Sequence, residues 1–253
     1  MSTPGFLEVG ISLILVVIAV VIARYWRIPV EKDMALGSVR AFVQLVAVGY
    51  ALEVIFDLQS PWLILLALAV MIIVGAHAAA GRVKDVKRPF VITVTAMTVG
   101  SLVTIAVMIL TRIISFEARY VIPLAGMIIG NSMNASALTA SRLTTDLKDN
   151  RLAIESALAL GKGWRVASKK YIRNSATAGM MSMLNFMKTV GIVALPGAMT
   201  GMILAGAEPL DAVLFQIVVA YMLLSAVTIT SVMAVELTIR RFFTRCHQLQ
   251  HDV

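Results

Sequence analysis

Residues 212–235 read AVLFQIVVAYMLLSAVTITSVMAV, an uncharged run of 24 residues. Residues 90–111 and 120–141 form two further uncharged runs of similar length. A helix needs about 20 predominantly apolar residues to cross the hydrocarbon core of a bilayer, and each run reaches that length. Because the apolar residues are continuous rather than alternating with polar ones, the runs favour helices over the strands of a membrane barrel. The chain is therefore predicted to be an all-α integral membrane protein.

The composition of the chain leads to the same class. Hydrophobic residues make up 59% of the 253 residues and charged residues 14%, and the mean hydropathy is +0.89. Soluble domains contain about 45–50% apolar and about 25% charged residues. The net charge of +8 fits the Lys and Arg residues that accumulate in the cytoplasmic loops of membrane proteins. Membrane lipid, and no nucleic acid, is the expected partner of this surface.

Hydropathy divides the chain into about seven predicted transmembrane helices that belong to a single domain covering residues 1–253. The predicted ranges are 5–24, 34–56, 61–80, 89–111, 119–142, 175–206 and 210–238. Arg40 interrupts the second range and Lys188 the sixth.

The distribution of positive charge predicts the orientation of these helices. Eighteen of the 22 Lys and Arg residues fall in the first, third and fifth loops and the C-terminal tail, whereas the opposite loops hold only Arg112 and Arg119. Since cytoplasmic loops carry the excess of positive residues, the N-terminus is predicted outside and the C-terminus in the cytoplasm. The single cysteine, Cys246, is then a free cytoplasmic thiol.

One cytoplasmic loop, at about 143–174, is long enough to carry structure of its own. Within it, residues 146–160 have helical periodicity, with apolar and charged side chains on opposite faces. Thr145 or Asp146 is expected to cap the start of this helix, and Gly161 to end it. A short helix with two faces on the cytoplasmic side is suited to dock on another protein.

Residues 155–161, ESALALG, resemble the E-A-A-x-x-x-G motif of ABC-transporter permeases, in which this helix docks on an ATPase subunit. The resemblance implies that five residues couple the chain to an ATPase: Glu155, Ser156, Ala157, Leu158 and Gly161. The chain itself has no P-loop, because Gly161-Lys162 is followed by glycine rather than Ser or Thr. It is therefore not an enzyme by itself, and no cofactor is expected on this chain.

Longer stretches are similar to the FetB-type permeases, a family of bacterial iron-export permeases related to plant half-transporters of aluminium sensitivity. They read VEKDM (30–34), RAFVQ (40–44), IPLAGMIIGNSM (122–133), KTVGIVALPGAMTG (188–201) and RRFFTRCHQL (240–249). The resemblance implies a permease domain in the bacterial inner (plasma) membrane that forms a homodimer. It also implies iron as the exported cation and a separate FetA-like ATPase subunit that binds ATP and Mg.

Polar and helix-breaking residues within the predicted spans are candidates for the translocation path or its gate. They are Arg40, Gln44, Met127, Asn131, Lys188, Pro196, Gly197 and Met199. A Lys side chain costs about 2.5–3.5 kcal/mol at the centre of a membrane helix. Lys188 is therefore expected to act as a gate, or to pair with an acidic or carbonyl group near the cytoplasmic mouth, and not to bind metal. The sequence identifies no metal ligands.

Three alternatives stay open at the level of the sequence. The same transporter type could carry a non-metal substrate, such as a nucleotide sugar or a lipid-linked compound. The direction could be inward, since the E-A-A motif is best known from importers. An intramembrane enzyme is the third alternative, and it would require a nucleophile–base pair or a metal site at membrane depth.

Overall fold

The computed structural model of the chain describes residues 5–58, 60–83, 86–244 and 248–249. The helices among these residues are α1 (Phe6–Tyr25), α2 (Glu31–Leu58), α3 (Pro61–Ala80), α4 (Pro89–Leu110), α5 (Ala118–Asp149), α6 (Arg151–Ala159), α7 (Trp164–Ala167), α8 (Lys169–Thr189), α9 (Gly197–Leu204) and α10 (Pro209–Phe242). In the described part of the chain, β-structure is limited to isolated bridges. The predicted all-α membrane class is confirmed.

Six of these helices are long and apolar enough to cross a membrane: α1, α2, α3, α4, α5 and α10. The sequence predicted about seven, and the difference lies in the sixth predicted span, 175–206. This span is not one continuous helix, because α8 ends at Thr189 and α9 begins only at Gly197. The helix-breaking Pro196 and Gly197 do mark an interruption of this span, but the interruption begins earlier, directly after Thr189.

The break has a local cause in the residues between α8 and α9. Val190 adopts an extended backbone, and Gly191 follows with φ +83°, a conformation that glycine adopts readily. The carbonyl of Thr189 then accepts a hydrogen bond from the Val193 N–H at 2.9 Å, which closes a turn. Pro196 has no N–H to donate and disfavours a helical conformation in the residue before it. The chain can resume a helix only after Pro196.

The described residues form two compact units, 1–60 and 61–253. In the first unit α1 packs against α2, and none of the described side chains of α2 is buried. In the second unit α5 and α10 are central: α5 packs against α3, α4, α8 and α10, and α10 also packs against α4, α8 and α9. The single domain over residues 1–253 stays a prediction.

Small and hydroxylated residues bring the central helices of the second unit close together. A Cβ atom added at Gly179 on α8 would collide with the Thr139 hydroxyl of α5, and one added at Gly100 on α4 with the Thr230 hydroxyl of α10. Thr230 Oγ1 also donates to Ser132 Oγ of α5 at 3.1 Å. Close approach through small residues is the usual mode of helix association in membranes.

Both central helices are longer than a membrane requires. At about 1.5 Å per residue, α5 with 32 residues and α10 with 34 residues are each close to 50 Å long, whereas the hydrocarbon core is about 30 Å thick. The C-terminal ends of α5 and α10 form a hydrophobic core together with Ile154 of α6, which we call the helix-end core. The buried members of this helix-end core are Leu143, Leu147, Ile154, Val235, Ile239, Phe242 and Phe243.

Candidate functional site

Helix α6 is the counterpart of the predicted docking helix, but it begins later than the sequence indicated. Helix α5 continues through Thr145 and Asp146, so neither residue caps a helix, and the single predicted helix over 146–160 is wrong. The chain changes direction at Asn150, whose side-chain amide donates to the Asp146 carbonyl at 2.8 Å. Leucine packing explains the extension of α5, because Leu143 and Leu147 are buried in the helix-end core.

The C-terminal end of α6 lies where the sequence predicted it. Gly161 has φ +82°, its N–H donates to the Leu158 carbonyl at 2.9 Å, and the Lys162 N–H donates to the Ala157 carbonyl at 3.1 Å. This pair of bonds is the Schellman arrangement, which favours glycine at the left-handed position. Gly161 therefore fixes the length of the helix.

Helix α6 has one buried face and one apolar face that is exposed. Ile154 is buried in the helix-end core and Leu158 packs against it. On the other side Leu152 is 80% exposed and Leu160 is 79% exposed. Ser156, which is also exposed, lies between them at a spacing of four residues. We call Leu152, Ser156 and Leu160 the outer face of α6.

The other predicted coupling residues lie at the margins of this outer face. Glu155, Ala157 and Leu158 are half-buried, and Gly161 is exposed. The Glu155 carboxylate accepts a hydrogen bond from Arg151 Nε at 2.8 Å within the same helix. Sequence reasoning missed Leu152 and Leu160, since apolar residues in an amphipathic helix are normally expected on its buried face.

Helix α7, which follows α6, contacts α10 and the residue directly after it. The Trp164 ring stacks on Phe243 with a centroid distance of 5.5 Å, and the Arg165 guanidinium lies 5.0 Å from the Trp164 ring centroid. Arg165 also contacts Glu236 Oε1 of α10 at 2.7 Å, and Arg240 contacts the same oxygen at 2.7 Å. Glu236 thus joins α7 to the helix that forms the centre of the second unit.

A cavity of about 410 Å³ lies among α5, α8, α9 and α10; we call it the first cavity. Its lining brings together four predicted path residues: Met127, Asn131, Pro196 and Gly197. The remaining lining residues are Ser182, Met183, Phe186, Ala198, Gln216, Val219 and Leu223.

A second cavity, of about 390 Å³, lies beside α8, α9 and α10 and includes the predicted residue Met199. Gln216 of α10 lines both cavities. This side chain is only 6% exposed, and its Oε1 atom has no hydrogen-bond partner. Sequence reasoning missed Gln216, although it is the one amide side chain in the uncharged run 212–235.

Lys188 lies at the C-terminal end of α8. It is exposed in the last turn of α8, lines neither cavity, and forms no ion pair with any described residue. Helix α8 runs without interruption from Lys169, so Lys188 lies roughly 28 Å along the helix, at the end away from α7. The role of Lys188 as a gate, or as a partner to an acidic or carbonyl group near the cytoplasmic mouth, stays a prediction. A cation in the last turn interacts favourably with the helix dipole, which stabilises it there.

Arg40 and Gln44 are exposed and lie one turn apart on α2, in the first unit. Their role in the path stays a prediction. Cys246 lies outside the described residues.

Comparison with known proteins identifies the family. A family profile described as "Uncharacterised protein family (UPF0014)" matches residues 6–243. This chain belongs to the UPF0014 family. It is 38% identical to the probable iron export permease protein FetB of Escherichia coli (strain K12), over 96% of this chain and 93% of the relative. It is 37% identical to the membrane protein STAR2 of rice, Oryza sativa subsp. japonica (98% and 87%). It is 34% identical to Protein ALUMINUM SENSITIVE 3 of Arabidopsis thaliana (98% and 91%). No solved structure matches the chain.

In this UPF0014 protein we expect Lys188→Met to preserve folding but to lower transport of the cargo. The charge lies directly after Met187, a lining residue of the second cavity, and at the start of the break between α8 and α9. Lys188→Arg keeps the charge with a different geometry and should retain part of the activity. Cargo efflux and ATP hydrolysis measured together in proteoliposomes provide the check. Normal transport by Lys188→Met would show that the side chain only stabilises the end of α8.

Proposed function

We propose that this chain is the membrane-spanning permease subunit of an ATP-driven transporter that exports iron from the cytoplasm. Two copies of the chain would work with a separate ATPase subunit, which binds ATP and Mg. The E. coli relative is named a probable iron export permease, and that name supports both the substrate and the direction. The family membership and the membrane-length helices support the coarser role of a membrane permease.

The outer face of α6 is the observation that carries the proposal. Leu152 and Leu160 are about four-fifths exposed, and burying a leucine side chain contributes roughly 1.5–3 kcal/mol. Exposed apolar groups on a helix that is itself anchored by a buried residue, Ile154, favour a protein partner. Because α5 extends well beyond a membrane thickness before α6 begins, this partner is expected outside the bilayer, where an ATPase subunit would be.

A route for transmitting the motion of such a partner is present in the same unit. Arg165 contacts Glu236 of α10, and Trp164 stacks on Phe243, which directly follows α10. Gln216 lies farther along α10 at the wall of both cavities. A displacement of α6 and α7 therefore acts on the helix that lines the candidate path. Packed elements transmit such displacements because interiors are dense and deform little.

The cavity linings lack the cationic side chains that would normally bind the diphosphate of a nucleotide sugar. None of the side chains that line either cavity is charged. A diphosphate is normally bound by Arg or Lys or by a helix N-terminus. The linings include no Arg or Lys, but the first cavity is lined by Gly197 and Ala198, the first residues of α9.

The homodimer rests mainly on the family resemblance, and one feature of α9 is consistent with it. Gly197 and Gly201 have no heavy atom within 4 Å of the position that a Cβ atom would occupy. Glycines spaced by four residues allow two helices to approach closely. Among the described residues, no neighbouring side chain fills the space beside these two glycines, which leaves room for a helix of a second copy.

We propose the orientation that the distribution of Lys and Arg predicts, in a bacterial inner membrane, with α6 in the cytoplasm. In a Cys246→Ser background, a cysteine introduced by Ala207→Cys should react with a membrane-impermeant maleimide in intact cells. A cysteine introduced by Lys162→Cys should react only after the membrane is opened. Both positions are on loops between helices, so the two variants form a matched pair. The reverse labelling pattern would contradict the orientation.

The decisive experiment is reconstitution of the permease with its ATPase subunit in proteoliposomes. We expect ATP-dependent movement of Fe(II) away from the side on which ATP is hydrolysed, and stimulation of ATP hydrolysis by Fe(II). A nucleotide sugar or a lipid-linked compound serves as the comparison cargo. Stimulation by one of these compounds, and none by iron, would establish the alternative substrate; movement of iron toward the ATP side would establish an importer.

A further inference from the structure

The break between α8 and α9, residues 190–196, exposes a backbone that is not helical. Its residues from Gly191 to Leu195 are all exposed. The turn occupies the N–H groups of residues 191–194 with hydrogen bonds to the Thr189 and Ala194 carbonyls. Among the described residues, the Leu195 N–H and the carbonyls of residues 191–193 have no hydrogen-bond partner. The break therefore carries free backbone polar groups on its surface.

The break lies inside the hydrocarbon core rather than at its edge. Its last residue, Pro196, lines the first cavity together with Met127 of α5 and Gln216 of α10. Met127 is about 14 Å along α5 from Ala118, and Gln216 is about 11 Å along α10 from Pro209. Both helices start on the same side of the membrane in the proposed orientation, and the hydrocarbon core is about 30 Å thick. The break is therefore roughly 10 Å or more below that side.

Lipid alone is not a suitable environment for this segment. Hydrocarbon forms no hydrogen bonds, so non-helical backbone occurs at membrane depth only where protein covers it or where it lines a water-filled cavity. The second cavity accounts for part of the break, because Val190, Gly191 and Leu195 line it. Ile192 and Val193 line neither cavity and are 88% and 80% exposed. Contact with water would be unfavourable for such apolar side chains, which leaves a protein surface as their neighbour.

The exposed side of α9 continues this surface. Of the eight residues of α9, Gly197, Gly201 and Leu204 are exposed and the other five are half-buried. Residues at this spacing lie on one face of a helix. No heavy atom lies within 4 Å of the position of a Cβ atom at either glycine. The patch thus combines a flat glycine face with the two large apolar side chains of the break.

We propose that two copies of this chain meet at this patch, with Ile192 and Val193 of each copy packed against Gly197 and Gly201 of the other. The inference rests on the proposed function, from which it takes the pairing of two copies, and it assigns their contact surface. Two identical chains related by a two-fold axis use the same patch, which must be complementary to itself. This patch meets that condition, because small residues on one copy make room for large ones on the other.

The free backbone groups of the break are complementary in the same sense. The segment offers one free donor, the Leu195 N–H, and free acceptors in the carbonyls of residues 191–193. When two copies of the break lie side by side, the donor of each copy can meet an acceptor of the other. A buried backbone group that stays without a partner is costly, so this pairing favours a second copy over an unrelated apolar helix.

Cross-linking between two cysteine variants in native membranes tests the contact. Two differently tagged forms of the chain, both in the Cys246→Ser background, are expressed together: one carries Ile192→Cys and the other Gly201→Cys. A disulfide requires Cβ atoms about 3.5–4.5 Å apart, so oxidation should link the two tags in one product. Leu66→Cys in place of Gly201→Cys is the control, because Leu66 is 60% exposed but lies on the unbroken helix α3. This control pair should stay unlinked.

Gly201→Leu should weaken the pairing of two copies without unfolding the chain. Leucine is a better helix former than glycine, and the space at this position is open within one copy. A bulky residue at the centre of the contact should lower the association constant at least roughly tenfold, measured by dilution of the detergent-solubilised permease. Gly49→Leu is the matched control, since Gly49 is also helical, exposed and open at its Cβ position. It should pair like wild type.

The outcomes separate this inference from the proposed function, because neither measurement uses iron, ATP or an ATPase subunit. Wild type that stays a single chain at every concentration would contradict the inference and the two-copy part of the proposed function. Paired chains without a link between the Ile192→Cys and Gly201→Cys forms, or equal weakening by Gly201→Leu and Gly49→Leu, would overturn the inference alone. So would rapid reaction of Ile192→Cys with a charged thiol reagent, which would show that the break faces water. A disulfide within one chain between Ile192→Cys and Val46→Cys would show that α2 covers the break instead.

Discussion

Ser156→Arg is expected to abolish co-purification of this permease with the proposed ATPase subunit and, with it, ATP-dependent transport. Ser156 is exposed at the centre of the outer face of α6, and its hydroxyl bonds only to the Leu152 carbonyl of its own helix at 2.8 Å. Arginine is a good helix former, so folding of the permease should be unchanged. In the complex, however, the bulky cation would be buried without a partner between Leu152 and Leu160. Substitutions at the centre of an interface cost about 2 kcal/mol or more, which is roughly thirtyfold in affinity.

Ser156→Ala is the matched control for this variant. It removes the same hydroxyl but keeps a small side chain on the outer face, so assembly and transport should stay near the wild-type level. The measurement is the amount of ATPase subunit recovered with tagged permease from detergent-solubilised membranes, followed by efflux from proteoliposomes. Full assembly and transport by Ser156→Arg would show that α6 is not part of the interface. The proposed function would then lose the observation that supports it.

Glu236→Gln is expected to uncouple ATP hydrolysis from transport while the ATPase subunit stays bound. The change removes the carboxylate that joins Arg165 of α7 to α10, whereas the outer face of α6 is untouched. Both arginine partners are about two-thirds exposed, so the loss of folding stability should be at most about 1 kcal/mol. The loss of coupling is expected to be larger, roughly tenfold in efflux per ATP, which corresponds to a coupling free energy of about 1.4 kcal/mol.

The two arginines around Glu236 provide an internal control. Arg165→Gln breaks the contact between α7 and α10 and should reproduce the effect of Glu236→Gln. Arg240→Gln removes only a contact within α10, since Arg240 and Glu236 are four residues apart on that helix, and should keep most of the coupling. The measurement is the ratio of efflux to ATP hydrolysis for each variant at equal ATPase occupancy. Equal losses in Arg165→Gln and Arg240→Gln would contradict a role for the contact between α7 and α10.

Much of the fold could be predicted from the sequence because its main signals are local. Uncharged runs such as 90–111 and 212–235 predict membrane helices whatever surrounds them, and both are helical. The end of α6 at Gly161 was also predictable, since a left-handed residue after a helix favours glycine. The stretches that resemble the FetB-type permeases extend across the chain, and the family they indicated is the one to which it belongs.

Other features depend on contacts between residues that are far apart in the sequence. Periodicity alone could not show that α5 continues to Asp149, because that extension is stabilised by the helix-end core with Ile239 and Phe242 of α10. It likewise could not show that Lys188 ends a helix, since the break at 190–196 depends on the turn that Gly191 allows. Met127, Asn131, Pro196 and Gly197 were predicted one by one, but only the packing of α5, α8, α9 and α10 brings them to one cavity.

The sequence by itself determined the class of this protein, its family, most of its membrane helices and the existence of a short helix suited to docking. These properties follow from the length of apolar runs, from local backbone preferences and from similarity along the chain. The tertiary structure alone decided which side of α6 is exposed, that α7 is joined to α10 through Glu236, and that Gln216 is buried at the wall of two cavities. The reason is physical: whether a side chain is buried, and what it contacts, depends on the residues close to it in space. Gln216 and Glu236 of α10 have neighbours from helices that are far away in the sequence.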